Sequence, residues 1–143
     1  MATTQFMLTP STDITAMSIS DFAKLTSTDL SVMSKFQATL LTSEYLAALT
    51  KNNISGLANV LKYIPSDALV GITSSAIVGL PPASISSLTL DQVNVLTTDQ
   101  LSSLSLQQLN AFSPNQVSEL SSDQMEAFNA RKETVLNNNA ERL

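Results

Sequence analysis

The sequence predicts an all-α fold, a solenoid of short helices in a single domain, and three observations carry that prediction. The first is an eight-residue phrase that returns from Pro65 to Phe128: PSDALVGI, TSSAIVGL, PPASISSL, TLDQVNVL, TTDQLSSL, SLQQLNAF, SPNQVSEL and SSDQMEAF. The fifth residue of each unit is Leu69, Ile77, Ile85, Val93, Leu101, Leu109, Val117 and Met125; the eighth is Ile72, Leu80, Leu88, Leu96, Leu104, Phe112, Leu120 and Phe128. All sixteen are apolar, and internal repetition of this kind is the mark of a repeat architecture.

The second observation is the spacing. Apolar residues lie three apart within a unit and five apart between units. Both gaps are odd, so on a strand neighbouring side chains would point to opposite faces and no common core could form. On a helix a gap of three stays on one face. One continuous helix fails too: eight residues at about 100° each overshoot two turns by about 80°, so the apolar stripe would wind round the whole surface. Pro65, Pro81, Pro82 and Pro114 would also break it.

The third observation is the chemistry at the head of each unit. In TLDQ, TTDQ and SSDQ a Ser or Thr is followed three residues later by Gln. This is the capping box, in which two side chains satisfy the free N–H groups of a helix start. Asp91, Asp99 and Asp123 then fall in the first turn, where the helix dipole favours negative charge. Pro114 follows Ser113, at the first helical position, where its missing N–H costs nothing. Small pairs such as Ser-Ser, Val-Gly and Asn-Ala between the two apolar positions let neighbouring turns pack closely. Each helix is too short to stand alone and must stack on its neighbours.

The rest of the chain follows the same rule with more drift. PSTDITAM comes first, then SISDFAKL, TSTDLSVM, SKFQATLL, TSEYLAAL and TKNNISGL, which run from Ser18 to Leu57. ANVLKYI has only seven residues, so the register slips by one there. Leu57, Val60, Leu61 and Ile64 have helical spacing, which predicts a longer helix near 57–64 joining blocks at about 10–57 and 65–128. The solenoid thus spans 1–128. Residues 129–143 carry Arg131, Lys132, Glu133, Glu141 and Arg142, and read as a polar capping helix or tail, with Asn137-Asn138-Asn139 at its end.

Composition bounds the function. The 143 residues suit one domain, 43% are apolar and only 5% aromatic, so the core is aliphatic. Charged residues make up 13%, which leaves Ser, Thr, Asn and Gln to cover the surface. The net charge is −5 and the seven basic residues are scattered apart from Arg131-Lys132, so no nucleic-acid partner is expected. Neither Cys nor His occurs, which excludes disulfides, zinc fingers and thiol catalysis. MATTQFMLTPSTD lacks a basic region followed by an apolar one, so no cleavable signal is expected. Ala68–Leu90 is uncharged and long enough to cross a bilayer, but it holds seven Ser/Thr residues and Pro81-Pro82 and reads as repeat units; no membrane span is expected.

No catalytic, cofactor-binding or metal-ligating residue is expected, and the binding surface is unknown. Lys24, Lys35, Lys51 and Lys62 stand at variable positions with no supporting motif for a Ser–Lys dyad. Gly56, Gly71 and Gly79 are isolated, so there is no phosphate loop, and the carboxylates form no calcium loop. Asn53-Ile54-Ser55 is a glycosylation sequon. The row Gln92, Gln100, Gln108, Gln116 and Gln124 could form a polar ladder or a binding strip; capping alone is the simpler reading.

The octads LTLDQVNV, LTTDQLSS and LSLQQLNA resemble the tandem octads of large bacterial surface or secreted proteins described as adhesin-like. The likeness runs from about Pro10 to Phe128. The tract IPSDALVGITSSAIVGLPPASISSLTLDQVNVL is also similar to the short-helix tracts of the mesothelin, otoancorin and stereocilin superfamily. Both resemblances imply a superhelix with a structural or adhesive role at the cell surface. The function expected is therefore a non-enzymatic extracellular module that offers a low-charge surface to a protein or glycan. The alternative is a cytoplasmic scaffold for protein–protein interaction.

Overall fold

The computed structural model describes residues 13–141. The residues read for a signal at the extreme N-terminus, the start of the Pro10 unit, and Arg142 lie outside the described residues. The chain is all-helical, with no strand among the described residues. It forms α1 (Ile19–Ala23), α2 (Ser27–Leu30), α3 (Lys35–Thr39), α4 (Ser43–Ala47), α5 (Ser66–Leu69), α6 (Ser74–Ile77), α7 (Pro82–Ser86), α8 (Leu90–Val95), α9 (Thr98–Leu101), α10 (Leu106–Asn110), α11 (Pro114–Glu119) and α12 (Ser122–Glu141). Short 3-10 turns occupy Ile14–Ala16, Ile54–Leu57 and Leu61–Tyr63. One short helix or turn therefore corresponds to each repeat unit.

The caps start each helix where the sequence places them. Reciprocal boxes join Thr26 to Asp29, Ser34 to Gln37, Thr89 to Gln92, Thr97 to Gln100, Ser105 to Gln108 and Ser113 to Gln116. At α9 the Gln100 N–H donates to Thr97 Oγ1 at 3.0 Å and the Thr97 N–H donates to Gln100 Oε1 at 2.9 Å. Pro82 and Pro114 sit in the first turn of α7 and α11, where no donor is needed. Helix ends are equally regular. The N–H of the eighth residue returns to the carbonyl of the fifth, as in Ile72 to Leu69, Leu80 to Ile77 and Leu88 to Ile85, each at 3.1 Å. That closing turn holds the two apolar side chains of a unit together.

The side chains so aligned form one continuous core. Of the sixteen spine positions from Leu69 to Phe128, all are buried except Val117 and Met125, which are partly buried against the same core near the C-terminal end. Ile14, Met17, Phe22, Leu25, Leu30, Met33, Leu41, Leu46, Leu49, Ile54 and Leu57 extend it through the N-terminal units. Burying a side chain of this size contributes about 1.5–3 kcal/mol. Helices of four to six residues have no comparable stability of their own.

Stacking follows a fixed offset. Each helix packs on the unit three further along: α1 on α4, α4 on α5, α5 on α8, α6 on α9, α7 on α10, α8 on α11. Three glycines mark the closest approaches. A Cβ on Gly71 would come within 2.7 Å of Ser43 backbone, one on Gly79 equally close to Lys51, and one on Gly56 would strike Leu30 Cβ and the Ser27 carbonyl. Glycine is needed there for space; no described residue has a positive φ.

Two expectations are corrected. The longer helix expected near 57–64 is instead a pair of 3-10 turns, with Val60 between them at φ −116°, ψ 6°. The second turn lies in the seven-residue unit and the first in a full octad; Asn53, Gly56, Asn59 and Val60 are weak helix formers, so the stretch closes in short 3-10 turns rather than one longer helix. Val60, Leu61 and Ile64 are nonetheless buried as their spacing requires. At the other end, α12 runs unbroken through Asn137-Asn138-Asn139 to Glu141. No Gly or Pro follows the asparagines, and the Ala130-Arg131-Lys132-Glu133 run is made of strong helix formers. The polar end thus continues the last octad as one helix.

Candidate functional site: a buried glutamine ladder

The glutamines of the octads do more than cap, which corrects the simpler reading of that row. Gln92, Gln100, Gln108, Gln116 and Gln124 are 1–5% exposed. Each side chain faces two ways. Its Oε1 accepts the N-cap N–H of its own helix at 2.8–2.9 Å. Its Nε2 donates to backbone carbonyls four units earlier: Gln92 to Leu61 and Ile64, Gln100 to Leu69 and Ile72, Gln108 to Ile77 and Leu80, Gln116 to Ile85 and Leu88. Gln124 reaches Val93, Asn94 and Leu96. The acceptors stand 31 and 28 residues back. From Gln100 to Gln116 those carbonyls belong to the fifth and eighth residues of the unit four earlier, so the rungs end on the aliphatic spine itself.

The chemistry suits a carboxamide and little else. A carboxamide has two N–H bonds and one carbonyl with two lone pairs. Here both hydrogens find carbonyls and the oxygen finds an N–H. Among the described residues no buried side-chain nitrogen or oxygen lacks a partner. Burial in this state strengthens the bonds and makes the loss of any one expensive.

Other residues at the same octad position divide the two tasks. Asp29 caps only, its carboxylate accepting the Thr26 N–H at 2.9 Å. Tyr45 bridges only: its hydroxyl lies between the carbonyls of Ile14 and Met17 at 2.9 and 2.8 Å, and Thr42 makes no cap bond. Asn53 does both over a shorter reach, accepting from Thr50 N–H at 2.8 Å and donating to Leu25 at 2.9 Å. Ala68, Ala76 and Ser84 do neither; Ser84 Oγ donates locally to Pro81. At the C-terminal end Arg131 replaces the next glutamine, its Nε donating to the Leu104 carbonyl at 2.8 Å.

The remaining sequence candidates are dispersed. Lys24, Lys35, Lys51 and Lys62 are all exposed. Lys35 and Lys62 both approach one ring, 5.2 and 5.4 Å from the centre of Tyr63. Asn53 of the sequon is buried and engaged as described, so the folded chain presents no free carboxamide there. Among the described residues no group of three or more Asp and Glu side chains could hold a metal ion. No helix among them is long and apolar enough to cross a membrane; Ala68–Leu90 runs from α5 through α6 and α7 to the first residue of α8. The sequence offered the ladder only as the lesser reading of the row, because its acceptors are backbone atoms. One signal was available: a capping box accepts Glu as readily as Gln, yet the row holds Gln alone.

No family model, curated protein or solved structure matches the chain.

Proposed function

We propose that this chain is a non-enzymatic structural and adhesive solenoid module that works outside the cell or on its surface, in the manner of the octad-repeat proteins it resembles. The observation that carries the proposal is the glutamine ladder. Buried carboxamides fasten each unit to an earlier one, and a stack of repeats draws its stability from such contacts between units. The outer face is rich in Ser, Thr and Asn and poor in charge, a surface suited to polar, uncharged partners such as glycans or protein loops. Its partner class is accordingly a protein or a glycan.

A second reading is an intracellular scaffold for protein–protein contact. Phe36 favours it, at 72% exposed, because a solvated aromatic of this size is an anchor residue in many interfaces. Protease treatment of intact native host cells, with the medium sampled alongside, separates the two. Release of peptides from this chain, or its presence in the medium, is the expected result. Protection until lysis, with none in the medium, overturns the extracellular reading in favour of the scaffold.

A further inference from the structure

The long-range side-chain hydrogen bonds between described residues divide the molecule in two. Tyr45 and Asn53 tie back to Ile14, Met17 and Leu25, within residues 13–57. Every rung from Gln92 to Gln124, and Arg131, ties within residues 58–141, beginning at the Leu61 carbonyl. None of these bonds joins one body to the other. The chain itself crosses at Leu57–Ala58, in the stretch of 3-10 turns where the repeat is one residue short.

Across this seam the repeat has discarded its rungs. The units that should reach back over it carry Ala68, Ala76 and Ser84, where the five units from Thr89 to Phe128 carry Gln. The four-unit offset sets them opposite Ala38 and Leu41, Leu46 and Leu49, Ile54 and Leu57. A cleft opens along the same line. It has a volume of about 450 Å³ and lies between Leu41 and Thr42 on one side and Pro65 and Ala68 on the other. The seam is held by packing of α3 on the Leu61–Tyr63 turn and of α4 on α5, by the Lys35–Tyr63 contact, and by the bare backbones of Gly71 and Gly79 against Ser43 and Lys51.

We propose that this seam is a joint: the solenoid opens between residues 34–57 and 65–88 while the bodies on either side stay folded. In a repeat stack, stability is the sum of local terms and interface terms, so a stack parts first at its weakest interface. Each laddered interface has buried hydrogen bonds to break and the seam has none of them. A chain used as a structural element would then lengthen or bend at one predetermined place.

The chain has no cysteine, so paired labels are clean. Pyrene on Glu44→Cys and Val70→Cys spans the seam; both sites are exposed. Pyrene on Ser75→Cys and Ser102→Cys, at the equivalent octad positions of a laddered interface and also exposed, is the comparison. In a denaturant titration the seam pair loses its excimer emission at a lower concentration than the comparison pair, and before the helical circular dichroism falls. Loss of both signals in one transition overturns the proposal. Gly71→Ala, which sets a Cβ against Ser43, lowers the seam midpoint and leaves the comparison midpoint in place; an equal shift in both would also overturn it. If Gly71→Ala does not fold, the two labelled pairs alone still decide the question.

Discussion

The side-chain amide of Gln100 donates to the carbonyl of Leu69, 31 residues earlier in the chain, at 2.8 Å. Its second hydrogen meets Ile72 at the same distance, and its oxygen holds the Thr97 N–H. We predict that Gln100→Ala costs about 2–4 kcal/mol, since a buried group left without its partner costs about 1–3 kcal/mol and several are orphaned here. Chemical denaturation measures the cost. Gln100→Asn should fall between the two, because Asn53 shows that the shorter side chain keeps the cap and one carbonyl. A cost below about 0.5 kcal/mol for the alanine variant would mean that water replaces the rung without penalty.

Gln100→Glu tests the same rung by charge. The carboxylate retains the cap, as Asp29 does, but faces two carbonyl oxygens and loses its donor. Only the protonated acid can bridge, so the fold raises the pKa of this glutamate above its unfolded value. The folded state then binds more protons than the unfolded state, and stability falls as pH rises from the ordinary glutamate range to the raised value. The variant is therefore predicted to be more stable at acid pH relative to the unsubstituted chain than at neutral pH. Parallel stability–pH curves for the two proteins would refute the buried rung.

Most of the spine is legible in the sequence. Leu104 is the eighth residue of its octad and is 1% exposed. Leu104→Ser is predicted to cost about 2–5 kcal/mol, from the cavity and the buried hydroxyl together. Val117 obeys the same sequence rule but is only partly buried, so Val117→Ser should cost less than half as much. Comparing the two melting temperatures checks the gradient toward the end of the stack.

Legibility stopped where the cause was not local. Apolar spacing and Ser/Thr-x-x-Gln act within one unit, and they placed α8 to α11 closely. The rung from Gln92 to Leu61 links a side chain to a backbone atom 31 residues away, and a carbonyl has no letter of its own in a sequence. The Leu57–Ile64 stretch misled for a different reason. Its i, i+3, i+4, i+7 spacing buries the right residues, but periodicity does not show how tightly the backbone winds through weak helix formers such as Asn59 and Val60. The Asn137–Asn139 run resembled a helix end by composition alone, with no Gly or Pro to stop the chain.

The sequon at Asn53 gives a prediction about modification. Its carboxamide is buried, accepting from Thr50 and donating to Leu25. A glycan on that nitrogen would take one of its two N–H bonds and would have to displace the chain that buries it. When the chain is secreted from a glycosylating host, the folded fraction should carry Asn53 unmodified, as read by intact mass. Folded protein bearing a glycan at this residue would show that the N-terminal body is held by something other than this bond.

Arg131 gives the last prediction. Its Nε donates to the Leu104 carbonyl, 27 residues earlier, at 2.8 Å. It lies one octad beyond Gln124 to within a residue, so a cation in α12 completes the ladder that glutamines build elsewhere. Because the acceptor is a neutral carbonyl, the contact depends on direction more than on charge. Arg131→Met keeps the length and helix propensity of the side chain and removes the donor; it should cost about 1.5–3 kcal/mol, the range for a hydrogen bond to a charged group. Arg131→Lys keeps the charge but not the planar fork that aims Nε along the stack, and should recover only part of the loss. The measurement is the denaturation midpoint of the three proteins at low and high salt. An ordering of Arg above Lys above Met that persists at high salt supports a directed bond to Leu104. A gap that closes with salt would mean that Arg131 acts only as a diffuse positive charge on an acidic chain.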